Sequence, residues 1–263
     1  MAYLLIIVLG FIIGSFLNAV IYRVPRGESI VRPGSSCPAC GARLNWFELV
    51  PVLSYLFLRG RCRHCGVRIS PRYPAVEVLT AALFLTVYVL TLRDVKTGTI
   101  SDGTQLALVL SKRLFLTAGL IAVSFTDLEH RRIPNLLVLA LLAGAVVLVP
   151  LAGDVEVIQA ALGCLAAGGA LLLLGILFKD GMGGGDIKLA AVAGLYLGWG
   201  NAVLGLFLGA LSGSVIGVSL IIAGRKTRKD FIPFGPFLAA GFFVSMLWGG
   251  EIVRWYLSYY GIR

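Results

Sequence analysis

Two aspartates, Asp127 and Asp186, are the residues of this chain best placed to do chemistry. Each lies where a long apolar stretch meets a polar, basic segment. A charged side chain at a membrane boundary is costly, and it is usually retained there for function. Two carboxylates that meet across helices can supply both a general base and a general acid. The sequence therefore indicates a carboxylate-pair active site, provided that the fold brings the two residues together.

The second aspartate ends a glycine-rich run, Gly181-Met182-Gly183-Gly184-Gly185-Asp186. Glycines permit a close approach by another stretch of backbone, as an active site would require. A purely structural role remains open for each aspartate taken alone. Asp127 could pair with Arg131 one helical turn later, and Asp186 could be a first-turn residue favoured by the helix dipole.

The second chemical signal is a pair of Cys-x-x-Cys motifs, Cys37-Pro38-Ala39-Cys40 and Cys62-Arg63-His64-Cys65, separated by 21 residues. Paired motifs of this kind hold a tetrahedral zinc ion, and a glycine directly after each second cysteine suits the required turn. Disulfides or redox chemistry are the alternative, but a cytoplasmic loop is reducing. We therefore expect structural zinc, with Cys37, Cys40, Cys62 and Cys65 as ligands.

Two further residues near or between these signals have simpler interpretations. His64 could replace a cysteine ligand, but four thiolates already complete the shell, so a solvated histidine is expected. Cys164 lies within an apolar run among glycine and alanine, which predicts a packing role.

Composition identifies the class of protein that must position these residues. The 263-residue chain is 58% hydrophobic and only 14% charged, against about 25% charged in soluble domains. We expect an all-α polytopic membrane protein, with a net charge of +10 that reflects basic loops rather than nucleic-acid binding. About eight transmembrane helices are predicted near residues 2–22, 74–92, 106–126, 133–152, 156–178, 187–200, 202–223 and 234–257.

Two of these predicted spans contain irregular features. Lys112 and Arg113 near the start of the third span would have to snorkel outward or mark a later entry into the bilayer. Gly198 and Gly200 indicate that the sixth and seventh spans form a tight hairpin or one broken helix. The sequence therefore allows either seven or eight helices.

Orientation follows from the basic residues, because short loops rich in Lys and Arg stay in the cytoplasm. Nine arginines lie between Arg23 and Tyr73, and further basic residues surround Arg131, Lys179, Lys188 and Arg225–Lys229. Two spans separate Asp127 from Asp186, so both aspartates are expected on the cytoplasmic side with the cysteine motifs. The apolar segment Leu44–Leu58 between the motifs is too short to cross; it could lie at the membrane interface or form the core of the zinc module.

Taken together, these motifs resemble the type IV prepilin peptidases over nearly the whole chain. The resemblance rests on Gly14–Asn18 and Tyr22–Pro25, the paired Cys-x-x-Cys motifs, Pro74–Glu77, Asp127 with Ile133–Asn135, the Gly-x-Gly-Asp ending at Asp186 with Lys188, and Pro233–Phe237.

The resemblance implies a bacterial inner-membrane enzyme with two activities. It implies cleavage of the leader of type IV prepilins or pseudopilins by Asp127 and Asp186 on the cytoplasmic side, after a glycine and before a residue that is usually phenylalanine. It also implies N-methylation of the new N-terminus from S-adenosylmethionine. Three parts are then expected: a first helix (1–22), a zinc module linked to methyl transfer (23–73) and a peptidase domain (74–263).

The binding partners follow from the same comparison and from charge. No dinucleotide-type glycine turn marks a site for S-adenosylmethionine; Gly60, Arg61 and the Asn18–Arg23 helix exit are its candidates by analogy. Anionic lipids are the expected partners of the basic face. Substrate recognition would need an acidic patch, for which the candidates are Glu28, Glu48, Glu77 and Glu129.

Other functions remain open at this stage. A proton-coupled transporter with a regulatory zinc module would place its acids near mid-span and show internal repeats. A peptidase without methyltransferase activity and a noncatalytic assembly scaffold are the remaining alternatives.

Overall fold

The computed structural model describes residues 1–32, 34–178, 182–227, 230 and 232–259. In this part of the chain the regular structure is helical, and backbone pairing outside helices consists of two isolated bridges. The all-α expectation is confirmed. The α-helices are α1 (Ala2–Arg23), α2 (Leu53–Phe57), α3 (Arg72–Lys96), α4 (Gly103–His130), α5 (Asn135–Ala152), α6 (Val157–Leu177), α7 (Gly184–Ile222) and α8 (Gly235–Tyr259).

Seven of these helices, all except α2, are long and apolar enough to cross a membrane. The chain is therefore a multi-pass membrane protein, as its composition indicates. The helices start and end close to the predicted spans, with one exception. The sixth and seventh predicted spans are joined in α7, which contains 39 residues.

Helix α7 is broken at Gly198, where the backbone has φ 73° and ψ 169°. A straight helix of this length would span roughly 58 Å, nearly twice the ~30 Å hydrocarbon core. The contacts show that the chain reverses instead: Gly198 lies near Val155 and Gln159, whereas the later Gly213 packs on Phe234, next to the start of α8. The two halves of α7 therefore run antiparallel, so α7 takes the place of two of the predicted spans and counts as one of the seven candidate membrane helices among the described residues.

The chain consists of two compact units, Met1–Leu92 and Arg93–Arg263. In the first unit, α1 packs on α3 through glycines. A Cβ atom at Gly14 would lie 2.7 Å from the Glu77 Cα atom, and one at Gly10 would lie 2.5 Å from the Ala81 Cα atom. Small residues at such crossings let helix backbones approach closely within a membrane. The expected division into residues 1–22, 23–73 and 74–263 stays a prediction.

The segment Leu44–Leu58 forms a 3₁₀ turn (Trp46–Leu49) followed by the short helix α2. Its large apolar side chains are exposed rather than packed together, since Trp46 is 80% and Phe57 is 83% accessible. This exposure favours the membrane-interface interpretation over a hydrophobic core for the cysteine module.

In the second unit, Lys112 does not snorkel outward, which was one of its two predicted roles; the other, marking a later entry into the bilayer, stays a prediction. Its side chain is buried within α4, 3% exposed, and it forms an ion pair with Asp154 in the loop between α5 and α6. The ammonium group also lies 3.5 Å from the Tyr196 carbonyl oxygen, just before the break in α7. The charge is tolerated because it has a carboxylate partner and offsets a carbonyl freed by the broken helix.

Candidate active site and metal centre

The structure brings Asp127 and Asp186 together at one end of the second unit. Asp127 lies in the last turn of α4 and Asp186 in the first turn of α7, and they are only 4% and 8% exposed. Their carboxylates are close enough to interact electrostatically. Helices α5 and α6 lie between the two aspartates in sequence. They run in opposite directions, so α7 begins at the end of the unit where α4 ends. The cluster can therefore supply two adjacent acidic groups in a site shielded from water.

The backbone positions each aspartate through a helix terminus. Helix α4 ends when Arg131 adopts a left-handed conformation with φ 53°, and its N–H donates to the Asp127 carbonyl oxygen. At the start of α7, Gly183 is the N-cap residue, and its backbone N–H hydrogen-bonds to the Asp186 carboxylate. The Oδ1 atom of Asp186 is buried without a hydrogen-bond partner among the described residues. This oxygen is available to a water molecule or a substrate.

Sequence reasoning did not assign a role to Gly235, which contacts the Asp127 side chain directly. The Gly235 N–H, at the first residue of α8, donates to Asp127 Oδ2 at 2.9 Å. A Cβ atom at this position would lie 2.8 Å from the same oxygen, so any side chain there would displace the carboxylate. The helix dipole and this N–H both favour a negative charge on Asp127. The Gly235-Pro236 pair at a helix start was the available signal, because proline favours the first turn.

The glycine-rich run packs against the loop that follows α4. A Cβ atom at Gly185 would lie 2.8 Å from the Cβ atom of Ile133, and the Lys188 ammonium donates to Asn135 Oδ1 at 2.9 Å. Two motifs that are distant in sequence thus meet beside the carboxylates. Gly181 and Lys179, which belong to the sequence predictions, lie outside the described residues.

An apolar cavity of about 280 Å³ lies next to this cluster, between the second half of α7 and the start of α8. Its lining includes Gly213, Phe234 and Phe237. Phe234 directly precedes Gly235, so the cavity is one residue away from the hydrogen-bond donor of Asp127. Its size and apolar walls suit a large hydrophobic side chain.

The four paired cysteines form a compact cluster in the first unit. All four Sγ atoms lie within 4.8 Å of one another, and the Cys37 and Cys65 sulfurs are 3.9 Å apart. Zinc–sulfur bonds of ~2.3 Å in a tetrahedron place sulfurs roughly 3.8 Å apart, whereas a disulfide would need ~2.05 Å. The cysteines are unbridged. The donor set and its spacing therefore fit a tetrahedral metal ion such as zinc.

The two cysteine motifs have the same backbone geometry. The Cys37 N–H donates to the Ala42 carbonyl and the Cys62 N–H to the Val67 carbonyl, each at 2.9 Å. Gly41 and Gly66 follow with φ 71° in both motifs. The backbone N–H of Cys40 lowers the pKa of the Cys37 thiol to about 7. Such turns stabilise thiolates, which are the form that binds metal.

The remaining sequence candidates occupy different surroundings. Gly60 is buried with φ 66° against the Tyr55 ring, and both of its backbone groups are hydrogen-bonded; Arg61 is exposed. His64 is exposed, and the cluster of metal-binding side chains consists of the four cysteines alone among the described residues. Cys164 lies in α6 near Gly194 of α7, as a packing residue would.

Comparisons with known proteins match both units. Residues 8–91 match the bacterial peptidase A24 N-terminal domain, and residues 114–218 match the type IV leader peptidase family. The prepilin leader peptidase/N-methyltransferase of Aeromonas salmonicida is 36% identical over 97% of this chain and 93% of its own length. The chain belongs to this family. The resemblance inferred from the sequence motifs is thereby confirmed.

Relatives in other organisms match over a similar extent of the chain. The Bacillus subtilis protein of the same name is 34% identical over 97% of both chains. The one from Pseudomonas aeruginosa is 32% identical over 98% of this chain and 94% of its own length. No solved structure matches the chain. The family name combines a leader peptidase with an N-methyltransferase, so the chain is assigned to a family of enzymes with two activities.

Proposed function

We propose that this protein removes the leader peptide of type IV prepilins or pseudopilins and then methylates the newly exposed N-terminus. The observation that carries the peptidase half is the meeting of Asp127 and Asp186, two buried carboxylates at one end of the membrane domain. The names of the relatives, which combine a leader peptidase with an N-methyltransferase, support both activities. An active site at the end of the spans also lets a substrate helix remain in the bilayer while its leader is cut at the boundary.

In the proposed peptide hydrolysis, one carboxylate acts as general base and the other as general acid. Adjacent acids cannot both ionise cheaply, so the pair holds one proton. The ionised carboxylate removes a proton from a water molecule, whose oxygen bonds to the peptide carbonyl carbon. The neutral acid gives its proton to the carbonyl oxygen. When the carbon–nitrogen bond then breaks, the departing nitrogen takes a proton from the pair, and one hydroxyl on the carbon returns a proton to it. A carboxyl and an amine are released, and the pair again holds one proton.

The surroundings of the pair support this chemistry. The Gly235 N–H holds Asp127 Oδ2 in place at 2.9 Å, and Gly183 does the same for the Asp186 carboxylate. Preorganised donors in a shielded site stabilise charge that develops during the reaction. Because the pair titrates as a unit, the roles of base and acid belong to the pair.

The position of the acids disfavours the rival transport function. Asp127 is three residues from the end of α4, and Asp186 is the third residue of α7. A proton relay across the bilayer requires ionisable groups near the midplane. Here both carboxylates lie at the same end, which suits a reaction at the membrane boundary.

We propose that zinc occupies the cysteine cluster as a structural ion. Cys37, Cys40, Cys62 and Cys65 supply four thiolates at tetrahedral spacing. A complete four-sulfur shell leaves no open position for a substrate, so the ion would stabilise the module rather than catalyse. When bound, zinc would hold the two cysteine turns together and so fix the loop that connects α1 and α3.

The methyltransferase half requires S-adenosylmethionine, which supplies an electrophilic methyl group on a sulfonium. The orientation proposed for both activities is cytoplasmic, since the basic residues cluster on the loops that carry the cysteines and the aspartates. Anionic lipids at that face are proposed partners of the arginines. In a bacterium the matching location is the inner membrane.

One experiment tests both halves together. The purified full-length protein is incubated in detergent or vesicles with a tagged prepilin and S-adenosylmethionine, and the product mass is measured. The expected product has lost its leader and gained one methyl group at the new N-terminus. An intact prepilin would refute the proposed peptidase, and an unmethylated mature product would refute the proposed methyltransferase alone.

A further inference from the structure

The first unit contains a cavity of about 350 Å³ between the second half of α1 and the loop that follows it. Phe16, Ala19, Val31 and Pro51 contribute apolar walls, while Ser15 and Arg23 contribute polar groups. Small-molecule sites typically have volumes of ~300–1,000 Å³, with mainly apolar linings and a few convergent polar groups. The cavity therefore has the size and composition of a site for a small amphipathic ligand.

The residue after Pro51, which lines the cavity, has a strained backbone conformation. Val52 has φ 60° and ψ −48°, and the Leu53 N–H donates to the Pro51 carbonyl at 2.6 Å, which is a γ-turn of the rare kind. A β-branched residue with positive φ is a genuine outlier. Strain of this kind persists only where the surroundings impose it, and it clusters at functional sites.

A buried carboxylate is hydrogen-bonded to this turn. Glu77 on α3 is 8% exposed, and its Oε2 atom accepts the Val52 N–H at 2.7 Å. The Ser15 side chain, which lines the cavity, hydrogen-bonds to the same carboxylate. Glu77 thus connects two walls of the cavity, the face of α1 and the turn at Pro51.

The opposite end of the cavity is closed by Arg23. Its guanidinium donates to the Ser29 carbonyl through Nη1 and to the Gly34 carbonyl through Nη2, both at 3.1 Å. These bonds fasten the loop over the end of α1 and leave a fixed positive charge on the cavity wall. Phe16, which is 49% exposed, presents an aromatic surface one turn of helix away from Ala19.

We propose that this cavity binds S-adenosylmethionine, an inference that rests on the proposed methyltransferase function. The ligand carries a carboxylate that the Arg23 guanidinium can pair with. Its sulfonium and adenine suit the aromatic face of Phe16. The cavity lies within residues 8–91, the part that matches the N-terminal family domain, and outside residues 114–218, which contain both aspartates.

Methyl transfer from a ligand bound in this cavity needs no reagent other than S-adenosylmethionine and the new N-terminal amine. The lone pair of the new N-terminal amine forms a bond to the methyl carbon, and the sulfur–methyl bond breaks with its electron pair staying on sulfur. The nitrogen then releases one proton to solvent. Ser15 and Arg23 act as binding residues, and Glu77 acts as a positioning residue through Ser15 and the Val52 turn.

Filling the cavity tests the proposal by direct binding. Radiolabelled S-adenosylmethionine is equilibrated with purified full-length protein, and bound ligand is measured for wild type, Ala19→Leu and Ala82→Leu. Ala82 is an exposed alanine on α3 that does not line the cavity, so its variant is the matched control. Ala19→Leu is expected to weaken binding at least about tenfold because the added atoms occupy the ligand's space, while the control binds as wild type does.

The possible results distinguish an error in the cavity assignment from an error in the proposed methyltransferase function. Equal binding by wild type and Ala19→Leu, with equal thermal unfolding midpoints, would overturn the cavity assignment alone. A wild type that binds no labelled ligand would overturn both the cavity and the methyltransferase, whereas leader cleavage in the same preparation reports independently on the peptidase.

Variants of Glu77 provide a second test, which distinguishes a role in positioning the cavity from a purely structural role. Glu77→Ala is expected to raise the KM for the methyl donor with little change in kcat. Glu77→Gln is expected to restore the KM, because its amide oxygen can still accept the Val52 N–H. A Gln variant no better than the Ala variant, or an unchanged KM in both, would refute the positioning role.

Discussion

Gly235→Ala tests the active-site geometry without removing either acid. The added Cβ atom would lie 2.8 Å from Asp127 Oδ2 and 3.2 Å from Asp127 Cγ. Real Cβ atoms do not approach so closely, so the carboxylate must move away. That movement breaks the 2.9 Å hydrogen bond from the Gly235 N–H. The variant therefore displaces one of the two proposed catalytic carboxylates and leaves both aspartates in place.

The expected loss follows from the energy of that hydrogen bond. A hydrogen bond to a charged group contributes about 1.5–3 kcal/mol, and each ~1.4 kcal/mol in a barrier is a factor of ten in rate. Gly235→Ala should therefore lower kcat/KM for leader cleavage by roughly tenfold to 150-fold. Misplacement of a reacting group by ~1 Å produces a loss of similar size.

The assay is leader cleavage of a purified prepilin, followed by gel mobility and mass. Gly250→Ala on the same helix is the matched control, since a Cβ atom there has no neighbour within 4 Å. Methylation of a separately prepared mature pilin should persist in both variants. Cleavage by Gly235→Ala within twofold of the Gly250→Ala rate would refute the proposed role of this contact.

Two further predictions concern the metal and the buried ion pair. Replacing Cys37 or Cys65 by serine, or treating the protein with a strong chelator, should lower bound zinc to well below one ion per chain, as measured by metal analysis. Replacing Cys164 should leave it unchanged, and an undiminished zinc content in the Cys37 or Cys65 variant would contradict the assigned site. Lys112→Met should destabilise the second unit by about 3 kcal/mol, because Asp154 loses its partner. The double variant with Asp154→Asn should recover part of the loss; a Lys112→Met protein with the wild-type unfolding midpoint in detergent would refute this prediction.

Much of the membrane topology could be predicted because long apolar runs must form helices that satisfy their own backbone groups. The same reasoning predicted that Asp127 and Asp186 share one end, since an even number of crossings separates them. The clustering of the four cysteines was also predictable, because two Cys-x-x-Cys turns together supply the four ligands of one tetrahedral metal ion.

The exceptions involve partners that are distant along the chain. Lys112 was expected to snorkel outward or to mark a later entry into the bilayer, and neither expectation named its partner Asp154, which lies 42 residues away. No local pattern in the sequence pairs the two residues. Likewise, the Gly235 N–H reaches a carboxylate 108 residues earlier in the chain. Such contacts depend on how helices pack, which hydrophobic periodicity does not specify when every face of a helix is apolar.

Single-turnover cleavage of a prepilin by asparagine variants of Asp127 and Asp186 shows whether these two carboxylates perform the proposed hydrolysis. The matched control is Asp102→Asn, which also removes a carboxylate. Asp102 is the N-cap residue of α4, and asparagine is an equally good N-cap residue. We predict that Asp127→Asn and Asp186→Asn each leave the prepilin uncut, while Asp102→Asn cleaves at the wild-type rate. Leader removal by either folded active-site variant at a rate near that of wild type would contradict the account.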